Sequence, residues 1–128
     1  MSTWRRKIFE DFPEFGLAPE TWSVVNASSQ LGSMLEGAIS SENTALTNRV
    51  VMFLLWCDAQ VTSDEQFVYF VEDALSTTVR QAPLRRTFLK SLDELKFGRL
   101  ARYIEYNTSA KIVLEAAETV RLEGRQRR

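Results

Sequence analysis

Histidine is absent from the sequence, and with it go the commonest general base, the commonest zinc ligand and every Ser-His or Cys-His dyad. Cysteine occurs once, as Cys57, so the chain can form no internal disulfide and no thiolate cluster. Cys57 follows Trp56 in the most apolar run. That setting makes it a buried, inert thiol, since a nucleophilic cysteine needs an electropositive and accessible one. Glycine and proline are scarce, five and three copies in 128 residues. Neither glycine-rich phosphate-binding loop is present, and no window alternates Val, Ile and Thr between the Asn-Gly or Asp-Gly turns of a hairpin. The longest uninterrupted apolar stretch, Val50 to Cys57, is far shorter than the about 20 residues a membrane-spanning helix needs. Trp4-Arg5-Arg6-Lys7 runs at once into Ile8-Phe9-Glu10-Asp11, unlike the leader of a cleaved signal. A cytoplasmic protein without membrane association is the expectation. Catalysis is left with carboxylate pairs such as Glu10/Glu14 or Asp58/Asp64, and nothing in their spacing sets two acids across a cleft. The chain is expected not to be an enzyme and to hold no cofactor and no metal.

What is present is helix. Hydrophobic residues make up 45% and charged residues 26%, ordinary values for a chain that folds, and a domain of this length buries roughly two-thirds of its unfolded surface. Residues 1–128 therefore read as one domain. Ser2 or Thr3 caps a short helix carrying Trp4, Ile8 and Phe12 at four-residue steps, which Pro13 ends. Pro19 opens a second, with Trp22, Val25, Leu31, Leu35, Ala38 and Ile39 near helical period and with Gly32 and Gly37 either weakening it or admitting a neighbour. Ala45 to Cys57 reads as a central helix, apolar all round in its C-terminal half; a strand is the competing reading of its apolar run. Ser63-Asp64-Glu65-Gln66 has the form of a capping box before Phe67, Phe70, Val71, Ala74 and Leu75, and Ser91-Leu92-Asp93-Glu94 that of a second before Leu95, Leu100, Tyr103 and Ile104. Pro83 opens a short helix between them. Thr108 or Ser109 caps a last one, through Ile112, Val113, Ala116 and Val120 to about Gly124. The fold class is all-α: a single irregular bundle of about six or seven helices, with no repeat of fixed period.

Charge is the uneven feature. The net charge is only -1, yet residues 10–75 carry eleven acids against the single base Arg49, while residues 76–128 carry twelve bases against six acids. Either the basic half folds against the acidic middle as ordinary surface pairs, or the acids stay together as a face that steers a basic partner. A run such as Arg80, Arg85, Arg86, Lys90, Lys96, Arg99 and Arg102 also raises nucleic acid, but a pI near 5.6 and the lack of any recognition motif argue against it.

Phe12-Pro13-Glu14 closing a helix that starts Trp-Arg-Arg-Lys, a middle helix ending Trp56-Cys57 and an acidic opening to the next helix together resemble a group of small bacterial all-helical proteins of uncharacterised role. In size and acidity these are similar to immunity-type proteins, which neutralise a toxin by binding it. The resemblance implies a protein-binding domain and supplies no catalytic residues. Two functional readings follow. In the first, a monomer or weak dimer binds a basic protein partner through Asp58, Asp64, Glu65, Glu72 and Asp73. In the second, a small ligand enters a pocket lined by Trp22, Phe53, Trp56 and Phe70.

Overall fold

The computed structural model describes residues 3–15 and 22–126; Ser2, Pro19, Glu20, Arg127 and Arg128 lie outside them. The described residues form an irregular bundle of seven α-helices with no strand: α1 (Thr3–Asp11), followed by a 3-10 turn (Pro13–Phe15), then α2 (Val24–Ser40), α3 (Thr44–Ala59), α4 (Gln66–Arg80), α5 (Ala82–Lys90), α6 (Glu94–Asn107) and α7 (Ala110–Gln126).

The apolar spacing of α1 buries Trp4 and Ile8, with Phe12 one turn beyond. Trp4 lies 5.2 Å from Phe70 and Phe12 lies 5.7 Å from Phe53, ring centre to ring centre. Arg5 fastens α1 to the entry of α2 by donating through Nε and Nη2 to the Trp22 carbonyl. The first described helical residue of α2 is Val24, capped by the Ser23 hydroxyl that accepts from the Asn26 amide at 3.1 Å. Trp22 thus precedes the helix expected to carry it, and is buried all the same. At the other end of α2, Glu42 takes the left-handed conformation (φ 58°) that ends a helix, with the Asn43 amide donating to the Ala38 carbonyl and Glu42 to that of Ile39.

The competing strand reading of Val50–Cys57 is settled for helix, with Asn43 as the cap of α3. Yet α4 rather than α3 is the hub, packing against α2, α3, α5 and α6, while Met52 of α3 is exposed. Both expected capping boxes are displaced. Ser63 spends its hydroxyl on the carbonyl of Gln60 behind it, and Asp64 accepts the Gln66 amide instead. Ser91 likewise closes α5 on the Phe88 carbonyl, and Asp93 caps α6 by accepting from Lys96. In each case the serine hydroxyl is spent on a carbonyl behind it, at or just past the preceding helix end, whose last carbonyls lack intrahelical donors. Ser109 rather than Thr108 caps α7. No described helix is long and apolar enough to cross a membrane.

Candidate functional site

One face of α4 meets the C-terminal end of α6 in a cleft of about 160 Å³. Helical spacing brings Tyr69, Glu72, Asp73, Ser76 and Arg80 to one side of α4, and the last turn of α6 contributes Tyr106 and Asn107. The two tyrosines are 41% and 68% exposed. Asn107 is their opposite, a buried amide that locks the two helices together: Nδ2 donates to the Glu72 carbonyl at 2.8 Å and to the Tyr103 carbonyl at 3.1 Å. Its Oδ1 is sealed from solvent and accepts no hydrogen bond. Because both Nδ2 partners are acceptors, turning the amide over would place oxygen against two carbonyls, so this orientation is fixed by chemistry. Arg80 Nε donates to the backbone carbonyl of Asn107 at 3.4 Å. Asp73 accepts from the Ser28 hydroxyl of α2 at 2.6 Å. Burial pushes the Glu72 carboxyl above the usual carboxylate range, with the Arg102 charge partly opposing.

The five acids expected to bind a partner are not gathered at one place. Glu72 and Asp73 line the cleft, and Glu65 is exposed at the start of α4. Asp64 is engaged at the same helix end, accepting from the Gln66 amide and side chain. Asp58 belongs to a different cluster between α3 and α6. It accepts from the Tyr103 hydroxyl at 2.6 Å, from Arg99 Nε at 3.4 Å and from Arg102. Burial alone would raise the Asp58 pKa, but the hydrogen bonds from Tyr103 and Arg102 and the Arg102 charge bring it below the usual value. Arg99 also donates to the Leu55 carbonyl near the C-terminus of α3. The lone base of the acidic segment is paired too: Arg49 makes a two-point contact with Glu14 and reaches the Asp11 carbonyl.

No family model matches the chain, and no curated protein and no solved structure is significantly similar to it. The site must be read from its own chemistry.

The aromatic residues of the second reading pack largely on one another. Phe53 lies 5.9 Å from Trp56 and 5.7 Å from Phe70, and Phe53 and Phe70 are fully buried. None of Trp22, Phe53, Trp56 and Phe70 lines the α4–α6 cleft. Among the described residues no group of three or more Cys, Asp or Glu side chains could hold a metal ion. Burial and the neighbouring Asp58 push the Cys57 thiol up, so it stays protonated at neutral pH. Tyr69, Tyr106 and Asn107 were not singled out from the sequence. The first stands three and four residues before Glu72 and Asp73, a spacing that puts all three on one helical face; nothing local in the sequence brings the other two there.

Proposed function

We propose that the chain is a non-catalytic interaction domain that binds a basic protein partner through the outward face of α4, the mode of action of immunity-type proteins. The observation that carries this reading is the pair of exposed tyrosines, Tyr69 and Tyr106, beside the carboxylates of Glu72 and Asp73 in the α4–α6 cleft. Tyrosine offers a large rigid contact area with a polar tip and is enriched where proteins meet. Acids around it set the sign of the partner and speed its approach. The cost carried by Glu72 fits the same reading. A carboxylate held above its ordinary pKa by burial is a group the fold alone would not favour, and a cationic partner would compensate it.

The test is capture on immobilised protein at low and at high salt, followed by titration of the purified captured protein. Wild type is expected to retain a basic protein with an affinity that falls as salt rises. The variant Glu65→Gln/Glu72→Gln/Tyr106→Ala, altered only on this face, is expected to lose at least about tenfold, roughly 1.4 kcal/mol. Equal affinity of the variant, or a partner that is acidic, would sink the proposal.

A further inference from the structure

Resting on the reading above, we infer that the α4–α6 cleft is a pocket for a single guanidinium group, the head of an arginine side chain projecting from the partner. Three features of different kinds point there. The volume, about 160 Å³, suits one side-chain head and not a whole peptide segment. Its lining joins two aromatic residues, Tyr69 and Tyr106, to the acid Glu72. An aromatic face attracts a cation, and a carboxylate takes two parallel N–H bonds from a planar guanidinium. Asn107 supplies the third feature. It lines the cleft, is more than nine-tenths buried, and its Oδ1 lacks any partner. A buried amide oxygen left in that state costs free energy that a hydrogen-bond donor recovers.

The charges of the cleft sum to a net negative site. Arg80 carries a positive charge that opposes a cation, and its Nε is turned to the Asn107 backbone carbonyl. Asp73 keeps its negative charge while accepting from the Ser28 hydroxyl of α2, so the two carboxylates of Glu72 and Asp73 outweigh Arg80. Arg102, which acts on Glu72 from a distance, is itself bonded to Asp58. Glu72, for which no side-chain hydrogen bond competes among the described residues, is the carboxylate placed to take the guanidinium directly, with Asp73 adding to the negative field. A guanidinium has five donors in a fixed fork, so it can satisfy Glu72 and the amide oxygen together, which the compact ammonium of lysine does less well. Because Oδ1 is closed to solvent, its engagement requires a small movement of the cleft wall and shows itself at the Asn107 side chain.

The experiment is a titration of the ¹⁵N-labelled full chain, followed by NMR, with N-acetyl-arginine-N-methylamide, its lysine and citrulline counterparts, and agmatine. The expected result is a saturable shift of the Asn107 side-chain amide and of the Ser76 and Tyr106 backbone amides with the arginine probe. Affinity should be roughly tenfold weaker for the uncharged citrulline probe, and reduced by Glu72→Gln and by Tyr106→Ala. Neither substitution removes a partner of the Asn107 side chain, since its bonds go to backbone carbonyls, and unchanged spectra away from the cleft would show that each variant folds. Tighter binding of agmatine than of the blocked arginine would keep the guanidinium pocket but make a free guanidine its occupant. No saturable shift, equal binding of the citrulline probe, or indifference to Glu72→Gln would overturn the inference. Failure here alongside a basic partner lost by the triple variant would leave the interaction face standing without this pocket. Arginine binding without any basic partner would do the reverse.

Discussion

Asp58 shows how little a residue's sequence neighbourhood says about its charge environment. Flanked by Cys57 and Ala59, it reads as one more acid in an acidic segment. Its partners, Arg99 and Arg102, stand 41 and 44 residues further on, and only the packing of α6 against α3 brings them in. The Asp58 side chain is 14% exposed and its bond from Tyr103 is partly buried, whereas Arg99 and Arg102 are 40% and 58% exposed, so the Tyr103 bond contributes more than the solvent-screened arginine pairs. Its folded-state pKa lies below the unfolded one. The stability it contributes is therefore complete above the unfolded value of about 3.9 and is lost as the pH falls through the lower folded value. Asp58→Asn is expected to cost about 2 kcal/mol at neutral pH and to flatten the acid limb of stability against pH. Urea midpoints measured from neutral pH into the acid range check this; parallel curves for the two proteins would show that Asp58 does not titrate with folding. Thr78 makes the opposite case. It is fully buried in α4 and its hydroxyl has no partner, a state that a methyl group of the same size removes. Thr78→Val is expected to raise stability by about 1 kcal/mol, read as a higher denaturation midpoint at unchanged slope.

At the scale of elements, helical periodicity makes most of the helices legible where one stripe is buried, as in α1, α4 and α6. By contrast α3, apolar all round in its C-terminal half, leaves a strand reading open, and Trp22 stands ahead of the helix to which its spacing assigns it. Helix starts were less legible. A serine three residues ahead of a Glu or Gln matches the capping pattern, but in Ser63 and Ser91 the hydroxyl serves the helix that is ending. The sequence carries no mark of that choice, since it depends on how tightly the loop turns. Glycines divide in the same way. Gly32 of α2 faces α4, and a Cβ built there would stand 3.2 Å from the Ala74 carbonyl oxygen. Gly98 of α6 is exposed, with nothing within 4 Å of an added Cβ. Alanine at either position gains about 1 kcal/mol of helix propensity. At Gly98 that gain is unopposed, so Gly98→Ala should stabilise by nearly this amount. At Gly32 the obstacle is backbone and can yield only by moving α2 off the hub helix, so Gly32→Ala should destabilise by about 1 kcal/mol or more. Thermal midpoints that moved the same way in both variants would show that the α2–α4 crossing has slack.

Over the whole molecule, the charge asymmetry of the chain is partly folded away. Asp58 from the acidic segment meets Arg99 and Arg102 from the basic one, and Arg49 is drawn to Glu14. What remains outward on α4 is a smaller patch than five acids in sequence suggested, and its tyrosines and amide come from packing that composition does not encode. Packing is also unevenly distributed. The helices α3 and α4 each bury seven residues, whereas α7, although 17 residues long, buries only Ala116 and Val120 and packs chiefly against α6 and α5. Little apolar surface is exposed when α7 detaches, so its opening should cost less than global unfolding. Native-state hydrogen exchange should then show α7 amides opening first among the long helices, with a shallow dependence on denaturant. The slowest amides of α4 should exchange only at the global free energy. If the slowest α7 amides converged with those of α4, the terminal helix would be part of the cooperative core. If they stay separate, the α4–α6 cleft stands on the stable part of the molecule, where a binding face keeps its geometry while the periphery opens and closes.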